Sequence, residues 1–392
     1  MKTQQNPLRK YGMTIFKLLE KRWLAELPLL REERKRDRFE GREIKRKVVR
    51  AAIGRARTIT EEQREKREIE GRREEEPTSQ TIIRRIKRVK DTEEIIRATN
   101  ERLLEQLKRV KRRLRKKTIY IAVDAHDEPY YGKKQQWTVG GRRKQSTNKF
   151  TRIVAMYMVH PGRPILLAVS TQKGTEAETA IIMLKELLAF FKRERWKLKR
   201  IIVLADGKYY RHSFLHFLHH ENLDYVIRAY SSRRKRAQTK RLRTGKNSDP
   251  FRPLSFYIIF KRYSPYSLSL RAVAYYDTDG KERYLVTSLR HRSAAELLSF
   301  YKRRFRVENA FRDMRMLLLR TCSRDARVRY TLLLLALYLH HLLHYFFFLL
   351  MPSFYLTHQW LYPCPCPQRP LLHLLSDLFQ WRPTLSFQGG DH

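Results

Sequence analysis

The chain has 392 residues, of which 85 are Lys or Arg and 40 are Asp or Glu, so its formal net charge at pH 7 is +45. That length is enough for two or three domains with a full hydrophobic core. The basic residues are spread along the whole chain instead of gathering beside one apolar segment, which favours nucleic acid as the polyanion that neutralises them. An acidic membrane surface and an acidic protein partner are the alternatives.

The cysteine content and the amino terminus indicate a reducing, cytoplasmic compartment. Cys322, Cys364 and Cys366 are too few and too badly spaced for a disulfide framework or a zinc site. The opening MKTQQNPLRKYGM lacks the apolar run and the small-residue cleavage site of a secretory signal. We therefore expect a cytoplasmic protein associated with the nucleoid.

Residues 1–117 are predicted to form a basic helical region that binds DNA. Pro77-Thr78-Ser79 precedes QTIIRRIKRV, and Asp91-Thr92 opens a longer helical pattern with an apolar stripe. The stripe consists of Ile95, Ile96, Leu103, Leu104 and Leu107. The alternative is a charged linker that contains a helical hairpin.

Residues 118–230 change to short apolar runs around one long amphipathic helix, Glu176 to Arg195, which predicts a mixed α/β sheet with helices on its faces. Two of the predicted strands, IYIAV and RIIVLA, end at Asp124 and Asp206. We expect these strands to be parallel neighbours, and ligands gather beyond the carboxyl ends of such strands.

Residues 231–292 are predicted to form a β-rich insertion. The basic stretch Arg233 to Asn247 has too few apolar residues to pack and is interpreted as a loop suited to gripping a phosphate backbone. The runs FYIIF, LRAVAYYD and RYLVTSL then indicate antiparallel strands.

Residues 293–351 are predicted to complete the core with two helices. On one helix from Tyr301 to Arg315, four polar side chains fall within about 60° of arc and an apolar stripe runs beside them. The polar set is Tyr301, Arg304, Glu308 and Arg315, and the stripe is Phe300, Val307, Phe311 and Met314. The alternative for the polar set is a solvated charged face.

Thr331 to Met351 is long enough to span a bilayer. It contains His340, His341 and His344, so we expect a buried helix and no membrane association, with a basic membrane protein as the alternative. Residues 352–392 form a tail rich in proline and aromatic residues, to which no chemistry is assigned.

Asp124, Asp206 and Glu308 are candidates for a shared metal site. Three converging carboxylates suit two Mg²⁺ or Mn²⁺ ions, because hard cations prefer oxygen ligands and paired metals bind both oxygens of an in-line phosphoryl displacement. Asp127 competes with Asp124 for the same role.

The sequence resembles the DDE transposases of the IS4 group, and within it the archaeal ISH3-like insertion-sequence transposases. Tyr301, Arg304, Glu308 and Arg315 match the spacing of the group's Y-R-E-K signature, with Arg in place of the last Lys. VDAHDEPYYG and VLADGKYYR are similar to its two Asp motifs. The resemblance implies an RNase H-like core interrupted by a β insertion.

The same resemblance implies cut-and-paste transposition by a homodimer on paired element ends, with Asp124, Asp206 and Glu308 as catalytic metal ligands. Tyr301, Arg304 and Arg315 are then expected to contact phosphates of double-stranded DNA. An RNase H-like nuclease or resolvase, or an inactive DNA-binding remnant, are the alternatives.

The sequence departs from the family in the insertion, where no Trp lies between Asp206 and Glu308. Some relatives use such a Trp to stack a flipped base, so a hairpin intermediate stays open here. Tyr257, Phe260 and Tyr263 are the candidate substitutes.

Overall fold

The structure, a computed structural model, describes residues 77–89, 91–160, 163–232, 253–260, 268–277 and 279–350, with isolated positions between 44 and 58 and at 236 and 240. The tail 352–392, most of the basic stretch 233–247 and most of the predicted region before residue 77 lie outside these ranges. Contacts divide the described chain into two compact units. One consists of Asn100–Asp313 and His340–Leu350, and the other of the residues before Asn100 with Met314–Leu339.

Nine strands of the described residues form one mixed sheet in the larger unit. They are β1 (Thr118–Pro129), β2 (Val139–Lys144), β3 (Thr147–His160), β4 (Ile165–Thr171), β5 (Arg200–Ala205), β6 (Asp224–Ala229), β7 (Leu254–Phe260), β8 (Leu268–Tyr276) and β9 (Glu282–Thr287). Their order is β2-β3-β1-β5-β6-β9-β8-β7, and β4 also pairs with β3. The three predicted strands of the insertion thus extend the same sheet, because β9 pairs with β6.

The predicted parallel pairing of the two Asp-bearing strands is confirmed. Strand β1 runs parallel to β5, with Val123 opposite Ala205 as the last pair. The prediction that the first strand ends at Asp124 is wrong, because β1 continues to Pro129 through its antiparallel pairing with β3. Only the pairing with β5 stops there, with Val123 as its last residue.

Seven helices have both ends within the continuous ranges described between residues 77 and 350. They are α1 (Ser79–Ile86), α2 (Thr92–Leu114), α3 (Glu176–Arg193), α4 (His212–His220), α5 (Ala294–Lys302), α6 (Phe305–Met314) and α7 (Ala326–Leu350). Thr78 caps α1, and Thr175 with Glu178 forms a capping box that starts α3. The predicted helices in residues 77–117 are confirmed.

The prediction of one helix from Tyr301 to Arg315 is wrong. The chain forms α5 and α6, with Arg303 and Arg304 between them, and α6 ends before Arg315. The backbone N–H groups of Arg303 and Arg304 donate to carbonyls three residues back, so the turn there is tighter than an α-helix. Val307, Phe311 and Met314 are nevertheless buried as predicted.

Helix α7 is buried over Thr331–Leu342, which confirms the predicted buried helix. Desolvation lowers the pKa of His340 and of His341 to about 3, so both imidazoles stay neutral in the core. Within the part of the chain that the structure describes, no helix is long and apolar enough to cross a membrane.

Candidate active site

Asp124 and Asp206 lie one residue beyond the last pair of β1 and β5, so both carboxylates emerge at the same edge of the sheet. The Asp206 Oδ1 atom accepts a hydrogen bond of 2.9 Å from the Lys208 backbone N–H, which caps the short turn Gly207–Tyr209. The Asp124 Oδ1 atom accepts one of 2.9 Å from the Ala125 N–H. The sheet therefore fixes the backbone of both acids.

Arg304 joins the carboxylate of Asp124 to that of Glu308. Its Nη1 atom lies 3.1 Å from Asp124 Oδ2, and its Nη2 atom lies 2.6 Å from Glu308 Oε1. The rings of Tyr301 and Phe305 lie 5.4 Å and 4.9 Å from the guanidinium carbon. Arg304 is thus a buried cation, 4% exposed, shared by one acid from the sheet and one from α6.

Burial raises the pKa of Asp124 to about 7. The Arg304 guanidinium opposes this rise, whereas the charges of Asp206 and Glu308 add to it. The charges of Asp206 and Glu308 therefore both act on the Asp124 carboxyl. A buried group whose pKa is shifted by specific charged neighbours is a frequent feature of functional sites.

The predicted phosphate-contacting residues have different surroundings. Tyr301 and Arg304 are buried, while Arg315 is exposed in the turn after α6. Among the candidate stacking residues, Tyr257 is exposed on β7, and Tyr263 and the Phe260 side chain lie outside the described part of the chain.

Asp127, the competing acid, projects from the other face of β1 because alternate strand residues point to opposite sides. The Arg152 Nε and Nη2 atoms lie 2.5 Å and 2.9 Å from its two oxygens. Such a bidentate pair occupies both carboxylate oxygens.

Sequence reasoning missed a second polar cluster, made of Arg152, Glu176, Lys208 and Tyr209. Glu176 Oε1 lies 3.1 Å from Arg152 Nη1 and 2.9 Å from Lys208 Nζ. The cluster links β3, the start of α3 and the turn that follows Asp206. The capping box at Thr175 was the available signal, since it places Glu176 in the first turn of a helix.

Desolvation, and then the charges of Asp124, Glu176 and Asp206, raise the pKa of Tyr209 well above its usual value. The Tyr209 side chain is fully buried, and its hydroxyl has no hydrogen-bond partner among the described residues. The neutral Tyr209 phenol therefore lies near Asp124 and Asp206 as well as near Glu176.

The oxygen donors present fit a divalent cation. Among the described residues, no three His, Cys, Asp or Glu side chains already stand together as a metal site. Asp124 and Glu308 instead converge on one positive group, the Arg304 guanidinium, close to Asp206. The site thus already attracts a cation, with carboxylate oxygens as the ligands that Mg²⁺ and Mn²⁺ prefer.

Residues 115–340 match the family described as "Transposase DDE domain". The match covers more than half of the chain, and the chain therefore belongs to this family of DNA transposases, metal-dependent enzymes that transfer DNA phosphoryl groups. No curated protein matches it.

The fold is similar to that in a cryo-EM structure of a piggyBac transposase synaptic complex with hairpin DNA. The TM-score is 0.56 at 12% sequence identity, over 96% of this chain and 83% of that one. This likeness confirms the predicted RNase H-like mixed sheet.

Proposed function

We propose that the chain is the transposase of an insertion sequence, related to the IS4 group and its ISH3-like members, and that it works by cut-and-paste. The observation that carries this proposal is the Arg304 bridge. It brings Glu308, from the motif that resembles the group's signature, to Asp124 beside Asp206.

Two phosphoryl transfers take place on the strand of each element end that is joined to the target. In the first, water attacks a phosphorus at the element end, the P–O3′ bond breaks, and the 3′-oxygen leaves as a free 3′-OH. In the second, that 3′-OH attacks a phosphorus of the target, whose own 3′-oxygen leaves. Each step makes one P–O bond and breaks one, so no external energy source is needed.

Asp124, Asp206 and Glu308 are the proposed ligands of two Mg²⁺ or Mn²⁺ ions. When bound, such ions supply a positive charge that activates water and stabilises the leaving 3′-oxygen. Asp124 must be ionised to bind a metal ion. Because its pKa is about 7, its carboxyl gains and loses a proton near neutral pH. Asp206 and Asp124 are held by the sheet, so their relative position is set before any ligand arrives.

Arg304 and Arg315 are proposed to contact DNA phosphates themselves, and Tyr301, predicted to do the same, is proposed to act through Arg304. Arg315 is exposed and free to do so directly. Arg304 must first release Asp124 and Glu308, so it holds the two acids together in the absence of DNA. The Tyr301 ring, packed on Arg304, positions that guanidinium.

Duplex DNA is the proposed partner, in keeping with the net charge of +45. Two element ends have to be cut and joined together, for which we propose a homodimer on paired ends, acting on the nucleoid in the cytoplasm.

The test is to incubate the protein and Mg²⁺ with a labelled duplex carrying the DNA that flanks its gene, together with an unlabelled target duplex. We expect cleavage at the element boundary, followed by a longer labelled product in which the end is joined to the target. Cleavage without joining, with intact enzyme and saturating target, would identify a nuclease or resolvase and overturn the proposal.

A further inference from the structure

The β2–β3 hairpin forms an arm of the sheet whose charge is entirely positive. No Asp or Glu occurs between Glu128 and Glu176, a stretch that includes the whole arm. Five of its basic side chains are exposed, and none pairs with an acid among the described residues. They are Lys133, Lys134, Arg142, Arg143 and Lys144.

The arm is a folded structure with a packed base. Tyr130 is buried at its start, and its ring packs edge-on against Trp137 with centroids 5.0 Å apart. The Thr147 hydroxyl donates a hydrogen bond of 2.7 Å to the Tyr130 carbonyl, and the Lys149 ammonium binds the Gly132 carbonyl. These contacts hold the loop that carries Lys133 and Lys134 against the strands.

The tip of the arm is a tight turn. Gln145 and Ser146 both have positive φ angles, 47° and 65°, between the paired residues Lys144 and Thr147. Two central residues of this kind form the turn that matches the twist of a two-stranded ribbon. Lys144 therefore lies next to the tip, and Arg142 and Arg143 come just before it on the edge strand β2, where the pairing register shifts.

The arm continues directly from the strand that carries Asp124. Tyr130 is six residues after Asp124, which places the base of the arm about 20 Å farther along the chain direction if the strand stays extended. It extends past the sheet edge at which Asp206 also lies. When a DNA phosphate is bound at the acids, the duplex about six base pairs away, at 3.4 Å per pair, lies within reach of the arm.

We propose that this arm binds the sugar-phosphate backbone of the duplex that flanks the reacting phosphate. A two-stranded β-ribbon has the width that the major groove admits, and the exposed Arg and Lys side chains suit phosphate oxygens. The proposal rests on the proposed function for the identity of the ligand, and it assigns a DNA contact to residues outside the Tyr301–Arg315 motif.

The test compares two triple variants with the same loss of charge. The arm variant carries Arg142→Gln, Arg143→Gln and Lys144→Gln. The control carries Lys192→Gln, Lys197→Gln and Lys199→Gln, at exposed positions near the amino end of β5, which is opposite to Asp206. Binding to a 30-base-pair duplex is measured over a range of salt concentrations, and thermal melting verifies that both variants fold.

Each lost phosphate contact lowers the slope of log K against log salt by about 0.9, so the arm variant should lose about 2.7 and the control almost nothing. Equal losses in the two variants, or an unchanged slope for the arm variant, would overturn the proposal. The outcome is separable from the proposed function, because wild-type end joining is scored independently and does not depend on either triple variant.

Discussion

The two faces of strand β1 carry aspartates only three residues apart, yet the two carboxylates have different charged neighbours. Asp127 holds Arg152 by both of its oxygens, on the face turned toward α3. Asp124 shares Arg304 with Glu308 and feels Asp206, on the face turned toward α6. Asp127 and Glu176 are balanced by two cations, Arg152 and Lys208, and form a structural cluster. Asp124, Asp206 and Glu308 outnumber their one cation, Arg304, and such a group of acids attracts another cation.

The largest effect is expected from Arg304→Ala, which leaves Asp124 and Glu308 without their shared cation. Removing one partner of a buried ion pair typically costs about 4 kcal/mol of unfolding free energy. Denaturant unfolding at pH 8 measures this loss. Added Mn²⁺ should recover part of it by binding the two acids that have lost Arg304. Arg312→Ala, on the following helix α6 but exposed, is the control and should change stability little. If added Mn²⁺ recovers none of the lost unfolding free energy, the result contradicts a cation site at these acids.

The next effect is a pH dependence of metal affinity. A proton competes with the metal for Asp124, so affinity should fall about tenfold per pH unit below 7 and level off above 8. Calorimetric titration with Mn²⁺ between pH 5.5 and 8.5 measures it, and Asp124→Asn should abolish this step. A flat profile in the wild type contradicts the assignment.

The raised pKa of Asp124 also determines the direction in which the free energy of unfolding changes with pH. The folded pKa of Asp124 lies above the ordinary carboxyl value of 3.8, so the folded state binds this proton more tightly than the unfolded state does. The contribution of Asp124 to the stability of the metal-free protein should therefore decline as pH rises from about 4 to 7.

The smallest effect is expected from Asp127→Asn, which keeps the shape of the side chain but removes the charge facing Arg152. Losing a charge-assisted hydrogen bond costs about 1.5 kcal/mol, and Glu176 still neutralises Arg152. Unfolding should show that loss while Mn²⁺ affinity stays at the wild-type value. If Mn²⁺ affinity collapses instead, the roles of the two faces are reversed.

Sequence patterns predicted the sheet well where strands were apolar on both faces. The runs before Asp124 and Asp206 were such strands, and they were predicted to be parallel neighbours in a mixed sheet with helices on its faces. Strand β2, VGGRRK, escaped prediction because it has no apolar alternation and is held by pairing and by the contacts at its base. Hydrophobic periodicity therefore could not predict the charged arm.

The sequence pointed to Asp124, Asp206 and Glu308 as one group of acids but did not predict the contacts among them. Spacing placed Tyr301, Arg304 and Glu308 on one helical face, yet the helix breaks at Arg303 and Arg304. Periodicity carries no information on such a break, since the tight turn there depends on where Arg304 finds its buried partners. Glu176 and Arg152 lie far apart in sequence from the acids, so only the folded sheet brings their cluster near Asp206.

The most direct test of the account is end cleavage by matched isosteric variants under the same salt and Mg²⁺ conditions. Asp124→Asn, Asp206→Asn and Glu308→Gln should each remove cleavage of the labelled element end while retaining duplex binding, because the basic surface is untouched. Asp127→Asn should still cleave. Cleavage by any one of the first three variants at the wild-type rate, or its loss in Asp127→Asn alone, would contradict the assignment of the three acids.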